Sequence, residues 1–175
     1  MFAGPIWQRI GLRLGKARAA VLAELVQASI NFGLLFITPD RFGLMLFLAL
    51  AQGLSQGSGN LFLRAMVADV ADRHRLETGE ERVGLYYSVF SVSAKLGGAL
   101  AVGIALPLVG WVGFDPHGTN SVTALQVLVT VFALGPALAH ALSAALLVGF
   151  PLDARAHSEI RARLDDEKLV PQPAE

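Results

Sequence analysis

Lys95 is the one charged residue in the run from Val83 to Trp111. Ser88 and Ser91 precede it at i, i+3, i+7, so a helix would place all three on one face, with Tyr87 beside them. An ionised amine at membrane depth costs about 3 kcal/mol or more, and such groups face a bundle interior or a water-filled cavity. The chemistry expected of this face is therefore the polar wall of a pathway. Three further stripes have the same character. Glu24, Gln27 and Asn31 fall at i, i+3, i+7, and Gln52, Gln56 and Asn60 at i, i+4, i+8, with Arg64 one turn later. Thr123, Gln126 and Thr130 form the last stripe, with His140 further along near the same face. Interhelical hydrogen bonding accounts for any single Ser, Thr or Gln, at about 0.6 kcal/mol each.

Other charged positions invite plainer readings. Glu24 is expected to lie near one end of its helix and to reach water or pair with Lys16 or Arg18. Arg64 is expected to snorkel. His140 reads as a hydrogen-bonded bundle residue. Asp69, Asp72 and His74 can be drawn as metal ligands, but solvated charges at a membrane boundary are the simpler expectation. No phosphate-binding glycine loop, nucleophile elbow or paired metalloprotease histidines occur, so no catalytic constellation, metal site or cofactor is expected.

The elements that must position these residues are helices in a bilayer. The chain has 175 residues, 54% hydrophobic and 16% charged, with mean hydropathy +0.54. Soluble domains average about 25% charged. Net charge is zero, which argues against nucleic acid as a partner, and the absence of cysteine excludes disulfides and thiolate metal sites. Residues 1–10 contain Pro5 and are followed by basic residues, unlike a cleavable signal. About 20 apolar residues span the hydrocarbon core. The expected fold is an all-α membrane protein with four transmembrane helices, over 19–37, 42–70, 83–111 and 122–150. Residues 1–18 are expected as a basic loop with the stub of a preceding helix, 71–82 as a loop and 151–175 as a tail. Within the tail, Asp153 would cap a short cytosolic helix with Ile160 and Leu164 on one face, and the final Pro-Gln-Pro-Ala-Glu would be disordered.

Arginine and lysine set the sidedness. Arg9, Arg13, Lys16 and Arg18, then Arg73, Arg75 and Arg82, then Arg155, Arg161, Arg163 and Lys168 fall on one side of four crossings. The other side has Arg41 and no lysine or arginine over 112–121. The positive-inside rule makes the basic side cytoplasmic, with both termini inside the cell membrane. Gly53 and Gly57 form a small-xxx-small pair followed by Gly59. Gly97, Gly98 and Gly103 thin the third span, and Pro107 is placed to kink it.

Three segments together resemble the glycoside–pentoside–hexuronide:cation symporters, the melibiose-carrier-like members of the major facilitator superfamily. They are the basic stretch from Trp7 to Arg18, the series Met66-Val-Ala-Asp-Val-Ala-Asp72, Thr78-Gly79 and Gly84 through Ser-Val-Ser-Ala-Lys-Leu-Gly-Gly98, and the tail from Pro151 to Arg161. The resemblance implies that the four spans are helices nine to twelve of a twelve-helix carrier, with the N-terminal half absent from this chain. It implies symport of a sugar or glycoside with sodium, lithium or a proton. Lys95 matches a lysine of the central cavity, where its charge attracts polar solute groups or biases carboxylates. Tyr87, Ser91, Asn60 and Gln126 are the further solute contacts expected. Asp69, Asp72 and the following loop, with Arg82, match a cytoplasmic gate. The coupling-ion carboxylates of the family belong to the other half. The chain departs from the pattern at Glu81 and Val83, where relatives often carry arginine and glutamate, and at Asn60, where sugar-binding relatives carry an aromatic. Two alternatives stay open on the residues alone: a dimerising four-helix exporter using Glu24, and a fragment or scaffold that transports nothing.

Overall fold

Lipid offers no partner to backbone amides, so each apolar run must bond internally. In the computed structural model every regular element is helical among the described residues, which are 3–38, 40–151 and 154–169. Helix α1 spans Ala3–Leu14, α2 Lys16–Gly33, α3 Phe42–Ser55 and α4 Ser58–Thr78. Then follow α5 over Val83–Trp111, α6 over Val122–Leu147 and α7 over Ala154–Leu169. A 3-10 turn, Leu34–Phe36, prolongs α2. Among the described residues, Lys16–Phe36, α5 and α6 are long and apolar enough to cross a membrane.

Several boundaries differ from the sequence expectation, each for a local reason. The basic segment 1–18 is helical over most of its described length, and only Gly15, at φ 82°, separates α1 from α2. The second span, expected unbroken over 42–70, is two helices. Gln56 turns extended at ψ 128°, Gly57 is left-handed at φ 83°, and the Ser58 hydroxyl donates to the Ser55 carbonyl at 2.6 Å. With 14 residues α3 is about 21 Å long, short of a hydrocarbon core of about 30 Å. Helix α4 runs on to Thr78, through most of the segment expected as loop 71–82. It stops where Gly79, at φ 74°, donates its N–H to the Arg75 carbonyl at 2.8 Å. Helix α5 continues through Pro107 to Trp111. The expected cap Asp153 and the last five residues lie outside the described residues.

The bundle is organised on α2, which packs most extensively on α6 and also on α4, α1 and α3. Small residues are buried on both helices: Ala19, Ala20 and Ala23 of α2, which cluster with Trp7, Phe62 and Met66, and Ala133, Ala137 and Ala144 of α6. Small side chains let backbones approach closely where lipid supplies no hydrophobic drive. Trp7 of α1 meets the Phe62 ring edge-on at 6.4 Å, and its indole N–H donates to the Leu54 carbonyl at 3.0 Å. This ties α1 to the break between α3 and α4. Gly11 leaves room for the Phe62 ring, which a methyl there would meet at 2.6 Å. Helix α7 lies on α4 through Ile160 and Leu164, packed with Val70, Leu76 and Phe150. Helix α5 touches only α4 and α6 to any extent and buries Val109 alone among the described residues.

Candidate functional site

Four of the five residues expected to meet solute lie on α4 and α5. The Tyr87 hydroxyl donates to the Arg64 carbonyl at 3.0 Å, joining the two helices. The Arg64 Nε–H donates to Asn60 Oδ1 at 3.3 Å, and its guanidinium stands 5.9 Å from the centre of the Phe90 ring. At that distance the cation is attracted by the ring's negative face. Arg64 thus connects Asn60 to Tyr87; it is held by named neighbours in addition to any snorkelling. Ser91 and Lys95 lie one and two turns beyond Tyr87 on α5, and both are exposed. Neither makes a hydrogen bond or ion pair among the described residues, so Lys95 presents its amine to whatever adjoins α5. Gln126 is exposed on α6, and no hydrogen bond links its side chain to this wall among the described residues.

The residues expected at a gate are bonded within the chain. Asp69 is 3% exposed, so it is not a solvated boundary charge. Lys16 Nζ donates to both its carboxylate oxygens, at 2.6 and 2.9 Å, and His157 Nε2 lies 3.0 Å away. Asp72 stands 3.6 Å from His157 and 3.6 Å from Arg161. The start of α2, the far half of α4 and α7 are held together by these groups. Arg82 pairs with Glu80 at 2.5 Å instead of with either aspartate. His74 meets the Tyr86 ring edge-on at 5.7 Å, and no group of three metal-ligating side chains occurs among the described residues.

A third cluster escaped the sequence reading. Glu24 sits eight residues into α2, about 12 Å along the axis from Lys16, and is 6% exposed. It bonds neither Lys16 nor water-facing Arg18. His140 Nδ1 of α6 lies 2.7 Å from its Oε2 instead. The first turn of α4 closes on the other oxygen: a methyl at Gly59 would lie 2.5 Å from Oε1. Gln27 and Asn31 continue the stripe into the bundle, both buried. Asn31 Nδ2 donates to the Gln27 carbonyl at 2.8 Å, and Gln27 Oε1 has no hydrogen-bond partner among the described residues. The i, i+3, i+7 stripe was legible, but its partner is 116 residues away and required knowing that α2 pairs with α6.

Comparison with known proteins adds an independent line. Residues 1–154 match the protein family described as MFS/sugar transport protein. The chain is 27% identical over 165 residues to an uncharacterized symporter of Synechocystis sp., covering 91% of this chain and 30% of that protein. It is 28% identical over 136 residues to the uncharacterized symporter YjmB of Bacillus subtilis, covering 78% of this chain and 29% of that one. An uncharacterized 29.9 kDa protein from the crtE 3' region of Pseudescherichia vulneris is 28% identical over 174 residues, covering 89% and 63%. The chain therefore spans less than two thirds of each of these relatives. No solved structure matches it.

Proposed function

The chain belongs to the MFS/sugar transport protein family, and from that premise we propose that it forms the C-terminal part of a cation-coupled symporter for a sugar or glycoside. Four crossings are α2, the interrupted pair α3–α4, α5 and α6, standing for helices nine to twelve, and α1 is the end of helix eight. An interrupted helix is tolerated at membrane depth where it is buried in protein or borders a water-filled cavity. By the positive-inside rule the basic side, with both termini and α7, is read as cytoplasmic.

The observation that carries this reading is the bare face of α5. A lipid-length helix presenting an ammonium group, with Ser91 beside it and the Asn60–Arg64–Tyr87 chain at its edge, needs a polar neighbour. In the whole carrier that neighbour is the solute cavity between two rocking halves. Lys95 donates hydrogen bonds to solute hydroxyls there, and Ser91, Asn60, Tyr87 and Gln126 complete the contacts. The coupling ion is sodium or a proton, bound mainly by carboxylates of the other half. Asp69 and Asp72 set the position of the cytoplasmic ends, and Arg82 meets the opposite half as the inward mouth closes.

The test is uptake of labelled sugars and glycosides into proteoliposomes holding the whole carrier, under an inward sodium gradient, an inward proton gradient or neither. Accumulation of one such solute under one gradient only is the expected result. Equal uptake with and without gradients, or none for any solute of this class, contradicts the proposal.

A further inference from the structure

We propose that Glu24 and His140 form a proton-binding site inside the helical bundle, separate from the wall that Lys95 shares with α4. Glu24 is buried between α2, α6 and the first turn of α4 with His140 partly exposed beside it, whereas Lys95 is exposed on α5. At 2.7 Å, Nδ1 of the imidazole and Oε2 of the carboxylate share one hydrogen. With only that hydrogen the pair carries one negative charge. Uptake of one further proton from water, with no other bond made or broken, brings it to zero, as imidazolium beside carboxylate or imidazole beside carboxylic acid. One site thus exchanges one proton, and that step belongs to the pair and not to either residue.

The imidazole fits a proton better than an alkali cation, because its nitrogen carries protons well and is a poor ligand for hard cations, which prefer oxygen. The second carboxylate oxygen lies on the first turn of α4, whose positive end favours the charged carboxylate. The buried Gln27 Oε1, one turn along α2, has no hydrogen-bond partner among the described residues.

The surrounding charges are accounted for. Helix α6 has no titratable group besides His140, and α3 has none. On α2, Lys16 is committed to Asp69, and Arg18 is exposed. On α4, Arg64 bonds Asn60, and Asp69 bonds Lys16 and His157; Asp72, Arg73, His74, Arg75 and Glu77 lie further along. On α1, Arg9 and Arg13 are exposed. None of these is bonded to the pair. Because Gly59 lies on the carboxylate next to the Gly57 break, a change in the pair's charge acts on the joint between α3 and α4.

This site deepens the cation-coupled reading and relies on it only for a physiological source of protons. Its test needs no transport. Ring-nitrogen NMR of His140, assigned by its loss in His140→Asn, is followed from about pH 4.5 to 9 on the full chain in lipid nanodiscs. The expected result is a one-proton step in the parent whose proton affinity changes about tenfold or more in Glu24→Gln. An unchanged step in that variant overturns the proposal. Should Glu24→Gln fail to fold, the parent alone decides: a ring locked in one protonation state across the range overturns the site, and a one-proton step with Nδ1 hydrogen-bonded supports it. A chain that carries no sugar can still pass, and a working symporter can fail.

Discussion

A single ammonium group on a lipid-length helix is informative because its position is hard to explain by packing. Lys95 has no partner among the described residues, so its removal leaves no buried carboxylate stranded, and its worth lies in what it meets from outside α5. Tyr87 differs, since its hydroxyl bonds the Arg64 carbonyl. Tyr87→Phe is predicted to lower the stability of the chain by about 0.6 kcal/mol, read as a small drop in Tm, with the fold kept. Asp69 is a third case. Asp69→Asn removes the negative charge and one of the two oxygens that Lys16 and His157 share, and is predicted to destabilise by about 1–2 kcal/mol, the partial exposure of Lys16 discounting the full penalty of a buried pair. Arg73→Ala, which breaks the exposed Arg73–Glu77 pair, should change Tm little, by about 0.3–0.5 kcal/mol at most. Residue types and stripes were legible in the sequence at this scale. Partners were not, because Lys16–Asp69 and Glu24–His140 join residues far apart in the chain, and chain spacing carries no trace of which helices adjoin.

At the scale of elements, hydropathy alone marks Lys16–Phe36, α5 and α6, and the sequence reading found those runs. The break in the second span was hidden by the same signal. Leu, Phe and Met on both sides gave one apolar run, and Gly53 and Gly57 were taken together as a packing pair. The structure separates them. Gly53 lies in regular α3 with open space where a methyl would go, while Gly57 is left-handed. Gly57→Ala is therefore predicted to cost about 1–2 kcal/mol. Gly53→Ala should be neutral or stabilising by up to about 1 kcal/mol. Thermal unfolding of the two variants side by side checks the contrast, and equal Tm values would mean the helix is not broken at Gly57. The far half of α4 was missed for the opposite reason. Its charges suggested a loop, but Asp69, Asp72 and their partners are engaged within the bundle, and Gly79 is the stop signal.

The whole molecule is a bundle with one unfinished side. The core joins Trp7, alanines of α2 and Phe62 and Met66 of α4, whereas α5 leaves Leu85, Val89, Val92, Leu96, Leu100 and Ile104 exposed. Open space at Gly97, Gly98 and Gly103 shows that the glycines of this helix are not used for packing inside the chain. The relatives are longer, and the account assigns that face to their remaining helices. The chain has no native cysteine, so single cysteines can be placed without other changes. Gly97→Cys and Gly103→Cys are predicted to react slowly with a membrane-permeant maleimide in the 175-residue chain, where lipid keeps the thiol protonated. The same positions should react faster in the whole carrier, where they border the water-filled cavity, and be protected by solute. Equal labelling in both would mean that α5 has the same surroundings with and without the remaining helices.

The central claim is that the Lys95 amine meets a solute from within the assembled carrier. Its most direct test is the concentration dependence of gradient-driven uptake in proteoliposomes for the parent carrier and Lys95→Ala, with insertion of both verified. The account predicts an apparent affinity weakened about tenfold or more, equivalent to about 1.4 kcal/mol, or a lost dependence on the coupling ion. The same affinity and the same ion dependence in both proteins would contradict it.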